Sequence, residues 1–169
     1  MPMILLRLIH ILTGIVWVGG MTFFMFFLLP GLQGEPAVMG KVMQGLARRN
    51  YMLLMPLVAI ATILSGLAMI WVTSGGHVGL YMQTRSGHTF TMAGGLAILG
   101  FFVGMFLSRP AGMKAAAIGA QMATATDPAE QARLKDQMAG LQKKSGVYSI
   151  LVMILLLAAA AGMAIARYV

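Results

Sequence analysis

Four long runs without a charged residue constrain this chain more than any other feature. They extend from Ile11 to Pro30, Tyr51 to Gly76, Thr89 to Ser108 and Ser145 to Ala166. Each run reaches or approaches the roughly 20 residues that a helix needs to cross a hydrocarbon core about 30 Å thick. With 59% hydrophobic and 9% charged residues, the 169-residue chain also has too few polar groups to cover a soluble globule. The sequence therefore predicts an all-α integral membrane protein, a four-transmembrane-helix bundle that forms a single domain over residues 1–169.

Basic residues predict the orientation of this bundle. Of the twelve Lys and Arg residues, nine fall in the first and third connections: Lys41, Arg48, Arg49, Arg109, Lys114, Arg133, Lys135, Lys143 and Lys144. Arg7, Arg85 and Arg167 lie on the other side. The positive-inside rule then predicts that both termini are outside and that these two connections face the cytoplasm. We expect a multi-pass protein of the inner (cytoplasmic) membrane of a bacterium, without a removable signal peptide.

The apolar runs place the four helices at about residues 4–29, 51–72, 88–108 and 145–167. The polar segment 111–144 also has helical character, with a break before Pro128. Asp127 is suited to the N-cap of a new helix, Pro128 to its first position and Glu130 to a capping box. The sequence thus predicts a cytoplasmic helical hairpin that extends helices three and four.

Charge and cysteine usage exclude several classes of site. The net charge of +8 is carried by residues at helix ends, where anionic lipid headgroups explain it better than nucleic acid, so we predict a lipid bilayer partner and no nucleic acid. The chain has no cysteine, which excludes disulfides, thiolate metal sites, iron–sulfur clusters and covalently attached c-type haem. Any bound metal must use His, Met or carboxylate ligands.

The first predicted helix contains an ionisable side chain, His10, directly before its apolar run. Polar groups at such depth are costly unless something pairs with them, so His10 is a candidate functional residue. Gly14 and Trp17 follow it at helical spacing and share its face. A ring lying on His10 would meet Gly14 next, and this glycine would allow either a flat cofactor or a neighbouring backbone to come close.

An internal repeat provides a partner for His10. The motif Arg7-x-x-His10 recurs as Arg85-x-x-His88, 78 residues later, and a Phe pair follows each copy at the same distance. If the halves are parallel repeats, helices one and three carry the two histidines at similar depth. Two imidazoles facing each other across a bundle can bind haem b without a covalent link. Arg7 and Arg85, one turn outward, would pair with the haem propionates.

This pattern predicts a haem site formed by six residues, His10, His88, Arg7, Arg85, Gly14 and Trp17, with the two histidines as axial ligands. Other interpretations stay open. An interfacial histidine is about as often a packing residue, and an arginine can simply extend its head to lipid phosphates. The 17 methionines with imidazole also suit Cu(I), so a copper-handling protein is an alternative, with His77 and Met82 as weaker candidate ligands. A third is a non-catalytic accessory subunit of a larger membrane complex or a homo-oligomer.

The start of the chain resembles a known family. The motif His10-x6-Trp17-Val18-Gly19-Gly20, with Arg48-Arg49-Asn50-Tyr51, Pro56 and Gly66-Leu67 in the second helix, is similar to the CopD copper-resistance superfamily and to the related HemJ-like protoporphyrinogen oxidases. The resemblance covers about the first 110 residues. It implies a compact helical membrane bundle that binds b-type haem through the helix-one histidine, here His10.

Two positions depart from the HemJ-like pattern. The H-x-K motif that would open helix three is His88-Thr89-Phe90 here, so phenylalanine stands at the lysine position. The asparagine–glutamate motif that would precede helix four is replaced by Ser145-Gly146-Val147-Tyr148. The sequence therefore predicts a small cytochrome b-like protein in electron transfer, or a haem-bearing subunit of a membrane complex. It leaves enzymatic activity open: any activity would be that of an oxidoreductase, and Phe90 argues against protoporphyrinogen oxidation.

Overall fold

A computed structural model describes residues 2–32, 35–122 and 124–169. Within these ranges the secondary structure is helical, without a strand. The elements in chain order are α1 (Pro2–Phe23), a π-helical turn (Phe24–Leu28), α2 (Leu29–Gly31), α3 (Pro36–Arg48), α4 (Tyr51–Thr73), α5 (Val78–Gln83), α6 (Arg85–Val103), a second π-helical turn (Gly104–Ser108), α7 (Arg109–Met122) and α8 (Pro128–Ile165).

Four helical segments are long and apolar enough to span a membrane, as the hydropathy pattern predicted. They are Pro2–Gly31, Tyr51–Thr73, Arg85–Met122 and Pro128–Ile165. The third begins at Arg85, because Thr84 caps it by accepting a hydrogen bond from the Gly87 amide at 3.0 Å. It also continues without interruption through α7. The fourth is a single 38-residue helix, so its polar first half and its apolar second half are continuous.

The spans associate as two antiparallel pairs. In the first pair, the start of α1 lies beside the end of α4, where His10 packs on Gly66. Directly after α1, the aromatic ring of Phe24 in the π-helical turn stacks on Tyr51 at the start of α4, with ring centroids 6.4 Å apart. The contacts therefore run in opposite directions along the two helices. Glycines and small side chains at the contacts allow this close approach.

The second pair joins α6 and α7 to α8 over their whole lengths. Successive contacts place Ala93 beside Gly162, Gly100 beside Leu156, Gly112 beside Ser145 and Gly119 beside Met138. The hydroxyls of Ser108 and Ser149 are 2.7 Å apart in the middle of this interface. Since α7 packs on the first half of α8, the segment predicted as a helical extension is helical and self-packed.

The core lies where the two pairs meet. Its buried residues are Trp17, Ala59, Ala97, Val152, Leu156 and Ala159. Trp17 of α1 meets Phe101 of α6 edge-on, with ring centroids 6.5 Å apart. The pairs contact each other less than the helices within each pair do. Long stretches of α1 and α4 therefore expose apolar side chains. Such exposure is expected of helices whose solvent is lipid.

Each pair contains a π-helical turn at an equivalent place. Pro30 follows the first turn and Pro110 follows the second. Proline has no amide hydrogen and its ring clashes with the carbonyl four residues earlier, here on Phe26 and Phe106, so the helix widens by one residue. The motif Met-Phe-x-x-x-Pro recurs 80 residues apart at these turns. This is a second signal for an internal repeat.

Two polar residues mark the reversals between helices. Asn50 lies between α3 and α4 with φ of 56°, a left-handed conformation that asparagine tolerates better than most residues. Asp127 caps α8 by accepting a hydrogen bond from the Ala129 amide at 3.0 Å, which confirms the predicted N-cap. Glu130, which was predicted to complete a capping box, lies 3.6 Å from Arg133.

Candidate functional site

His10 occupies the interface between α1 and α4. Its Nδ1 atom lies 2.8 Å from the carbonyl oxygen of Thr62 and 3.4 Å from the Ser65 hydroxyl. A carbonyl oxygen only accepts hydrogen bonds, so Nδ1 carries the hydrogen and donates it. In the neutral ring this leaves Nε2 with its lone pair. The imidazole is half-buried, and its orientation is set by the second span.

A glycine provides the space for this imidazole. A Cβ atom placed on Gly66 would lie 2.9 Å from Cε1 of His10 and 3.2 Å from its Nδ1. Both separations are too short for any side chain to be accommodated without moving the ring. His10 therefore lies against bare backbone of α4, and Gly66 is the residue that permits it.

Hydroxyl groups extend the contact along the same interface. Thr62 donates to the Thr13 hydroxyl at 2.8 Å, and Thr13 in turn donates to the Ile9 carbonyl at 2.7 Å. Ser65 donates to the Ala61 carbonyl at 2.6 Å. Hydrogen bonds between membrane helices contribute about 0.6 kcal/mol each on average. These hydroxyl groups are thus paired within the α1–α4 interface. The Thr62 carbonyl and the Ser65 hydroxyl are the groups that contact Nδ1 of His10.

Gly14 and Trp17 share the His10 face but contact protein. A Cβ on Gly14 would lie 3.7 Å from the Thr62 methyl group, so this glycine brings α4 close to α1. Trp17 is 7% exposed and belongs to the core. Of the two uses predicted for Gly14, the structure contains the close approach of a neighbouring helix. Arg7, one turn before His10, is exposed.

His88 lies in a different environment. It is exposed at the start of α6 and lines an open groove of about 630 Å³ together with Met82, Gln83, Thr84, Arg85, Thr89 and Val169. Arg85 and Met82 are therefore neighbours of His88 in this groove. His77 is exposed at the N-cap of α5. In the described part of the chain no hydrogen bond joins His10 to His88.

The depths of the two histidines follow from the Trp17–Phe101 contact. Since α4 runs against α1 and the short α5 connection leads back into α6, α1 and α6 run in the same direction. Seven residues separate His10 from Trp17, and thirteen separate His88 from Phe101. The difference of six residues corresponds to about 9 Å at the helical rise of about 1.5 Å per residue. His88 therefore lies about 9 Å closer than His10 to the side of the bundle at which α1 and α6 begin. Gly94 and Gly95 of α6 are closer to the depth of His10.

Sequence reasoning placed His10 among the candidates but missed its partners. Thr62 and Ser65 are the hydroxyl-bearing residues in the middle of the second span, and Gly66 follows them directly. Hydroxyls in the middle of an apolar run are themselves a signal of an interhelical contact. The sequence pattern did not reveal the acceptor of the imidazole hydrogen, because this acceptor is the backbone carbonyl of Thr62.

Comparison with known proteins gives no relative for this arrangement: no family model, no curated protein and no solved structure matches the chain.

Proposed function

We propose that this chain is a membrane b-type haem protein in which Nε2 of His10 would bind the haem iron. One observation carries the proposal, the 2.8 Å hydrogen bond from Nδ1 of His10 to the Thr62 carbonyl. Metal-binding histidines commonly donate their other ring hydrogen to a carbonyl or carboxylate, which fixes the tautomer and raises the basicity of the ligating nitrogen. His10 already has this arrangement.

The neighbours of His10 have defined tasks in this proposal. Gly66 allows the ring to lie against α4, and Thr62 with Ser65 holds its orientation. Arg7 is the proposed partner of a haem propionate, one turn outward and exposed. The haem is of the b type because no cysteine is present for covalent attachment. When bound, it supplies a one-electron redox couple.

His88 is the proposed second ligand, on the strength of the repeated motif, and Arg85 the second propionate partner. If both histidines bind the same haem, the site must accommodate the roughly 9 Å difference in their depths. The coordination number of the iron distinguishes a haem bound by both histidines from a haem bound by His10 alone. A haem bound by both histidines is six-coordinate and low-spin, and His88→Ala converts it to a five-coordinate form. A haem bound by His10 without His88 has the same spectrum in the His88→Ala protein as in the unchanged chain.

The cellular role that fits such a site is electron transfer in a bacterial inner membrane, by the chain itself, as a homo-oligomer or as a haem-bearing subunit of a larger complex. The orientation with both termini outside and the hairpin in the cytoplasm belongs to the same proposal, since it follows from the distribution of basic residues. Any enzymatic activity would be that of an oxidoreductase. Phe90 argues against protoporphyrinogen oxidation as the reaction.

The test is the absorption spectrum of the purified full-length protein, oxidised and after dithionite reduction. We expect a Soret band in both states and a stoichiometry of one haem per chain. Protein that shows no Soret band after supplementation with haem during expression and after purification would contradict the proposal. That result would favour an accessory subunit that binds no haem.

A second candidate is Cu(I) binding in the outer groove, favoured by one observation: Met82 and His88 line the same cavity. Thioether and imidazole are suitable ligands for Cu(I). In the described residues no three of the His, Asp and Glu side chains come together, so such a site would depend on methionine. The adjacent guanidinium of Arg85 opposes a cation there, which is why copper ranks second.

Copper analysis after anaerobic Cu(I) loading tests this candidate. If the groove binds copper, we expect the Met82→Leu and His88→Ala proteins each to lose it, because two ligands leave no spare donor. His77→Ala is the matched control, since His77 is exposed outside the groove. Equal copper in the unchanged chain and in all three variants after removal of unbound metal would contradict a site at Met82 and His88.

A further inference from the structure

A second groove lies in the second half of the third span, beside the π-helical turn. It has a volume of about 540 Å³ and is lined by Met105, Phe106, Arg109, Pro110, Met113 and Lys114. Phe106 and Met113 are 64% and 62% exposed, so they form an open apolar wall. Arg109 and Lys114, two cations, lie among these lining residues. The groove therefore combines an apolar surface with basic side chains.

The position of the two cations matches the depth of a lipid headgroup. Arg109 is the first charged residue after the apolar run that ends at Ser108. This run has the length of the hydrocarbon core, so Arg109 lies at its boundary. Lys114 follows five residues later, about 7.5 Å further along the helix. The headgroup region is about 5–8 Å thick on each side of the core, so the two cations cover its depth.

In the part of the chain that the structure describes, no carboxylate forms an ion pair with these cations. The four acidic residues are Glu35, Asp127, Glu130 and Asp136. In the described part of the chain the ion pair is between Glu130 and Arg133. The half-buried guanidinium of Arg109 instead has its Nη1 atom 3.4 Å from the Met105 sulfur. A thioether is a weak acceptor, so most of the hydrogen-bonding capacity of Arg109 is open to a ligand.

Further positive charge lies at the same level on α8. Gly112 packs against the Ser145 hydroxyl, and Lys143 and Lys144 immediately precede that serine. Basic residues therefore lie at this level on both of the packed helices. A ligand that fits must bring negative charge to the helix end and apolar surface to the adjacent wall.

We propose that this groove binds one anionic phospholipid. The phosphate contacts Arg109, with Lys114 toward the outer headgroup, and an acyl chain lies along Phe106. Arginine is suited to phosphate because its planar donors pair with two oxygens at once. The π-helical turn before Pro110 contributes by widening the helix at the level where the lipid binds. The inference is independent of haem, which is proposed for the other end of the bundle.

Native mass spectrometry of the full-length protein in mild detergent tests the inference. Phosphatidylglycerol and phosphatidylcholine are offered at equal concentration. We expect retention of one phosphatidylglycerol in preference to phosphatidylcholine. Arg109→Gln and Lys114→Gln are expected to lower this retention roughly fivefold each, since one basic residue near the membrane surface contributes about the energy of such a factor. Lys114 is exposed, so its variant keeps the fold even if Arg109→Gln does not.

Arg133→Gln is the matched control, because it removes the same charge from a side chain that is 65% exposed and outside the groove. It should retain the lipid as the unchanged chain does. Equal loss in the Arg133 and Lys114 variants would overturn the site in favour of a diffuse basic surface. Displacement of the lipid by an equal concentration of inorganic phosphate would also overturn it, since the groove would then recognise a free anion. If the protein retained neither phosphatidylglycerol nor phosphatidylcholine, that result would directly contradict lipid binding in the groove.

Discussion

The His10→Ala protein is expected to fold and to lose its Soret band completely. The substitution removes the proposed ligating nitrogen, whereas its structural effect is the loss of the hydrogen bond to the Thr62 carbonyl, of the 3.4 Å contact with the Ser65 hydroxyl and of the ring's packing on Gly66. Hydrogen bonds of this kind contribute at most about 1.7 kcal/mol in membrane proteins. Since loss of a residue that merely orients a ligand costs about 10–100-fold in metal affinity, loss of the ligand itself should exceed that range. The measurement is the Soret absorbance per chain after purification, with helicity followed by circular dichroism.

A second variant tests the geometry while the histidine stays in place. In Gly66→Ala the new methyl group would lie 2.9 Å from Cε1 of His10. The ring must therefore move, and the hydrogen bond from its Nδ1 to the Thr62 carbonyl is strained. We expect haem affinity to fall about 10–100-fold, the range for displaced orienting contacts. Gly19→Ala is the control, because a Cβ there meets nothing within 4 Å. His77→Ala controls for the loss of a histidine as such.

These variants also separate the haem proposal from a packing role. If His10 only joined α1 to α4, His10→Ala and Gly66→Ala would lower stability without changing any spectrum. A Soret band of full intensity in the His10→Ala protein would therefore contradict His10 as a ligand, even if the protein binds haem elsewhere.

Gly87→Ala is expected to give the largest loss of stability from a single methyl group. A Cβ at this position would overlap the carbonyl oxygen of Tyr81 and lie 2.8 Å from Oγ1 of Thr84. Thr84 cannot easily move, because it accepts from the Gly87 amide and donates to the Tyr81 carbonyl at 2.8 Å. Inserting one methyl group into such a space costs typically 1–3 kcal/mol, and here the clash is with backbone. We expect about 3 kcal/mol, measured by reversible unfolding in mixed micelles.

Gly94→Ala provides the matched comparison on the same helix. A Cβ on Gly94 meets nothing within 4 Å, and alanine is favoured over glycine in a helix interior by about 1 kcal/mol. We expect this protein to be as stable as the unchanged chain or slightly more so. If Gly94→Ala were as destabilised as Gly87→Ala, the loss would reflect glycine content and not the tight turn between α5 and α6.

Some parts of the candidate site were readable from the sequence because they depend on single residues. A histidine inside a predicted membrane helix stands out since the bilayer penalises unpaired polar groups. The grouping of Arg85 with His88 follows from spacing along one helix, and the structure places both at the same groove. The contact between His10 and α4 was not readable, because its acceptor is the Thr62 backbone carbonyl and every residue has such a group.

The relation between the two histidines was also beyond the pattern. A repeat of 78 residues equates positions along the chain, but the depth of a residue depends on how the two helix pairs are offset. The second repeat, at the π-helical turns, has a spacing of 80 residues, so the halves are not in uniform register. The pairing of Trp17 with Phe101 sets the offset, and neither residue type specifies it.

By itself, the sequence determined that the chain is helical and has four segments able to span a membrane. Hydropathy alone decides this, because in lipid a backbone must satisfy its own hydrogen bonds and an apolar helix of sufficient length does so. It also determined where α8 begins, since Asp127 and Pro128 are local signals. Only the tertiary structure decided that α1 pairs with α4 and that Gly66 faces His10. Packing between membrane helices depends on matched shapes of small residues, and many registers of an apolar sequence have similar hydrophobicity.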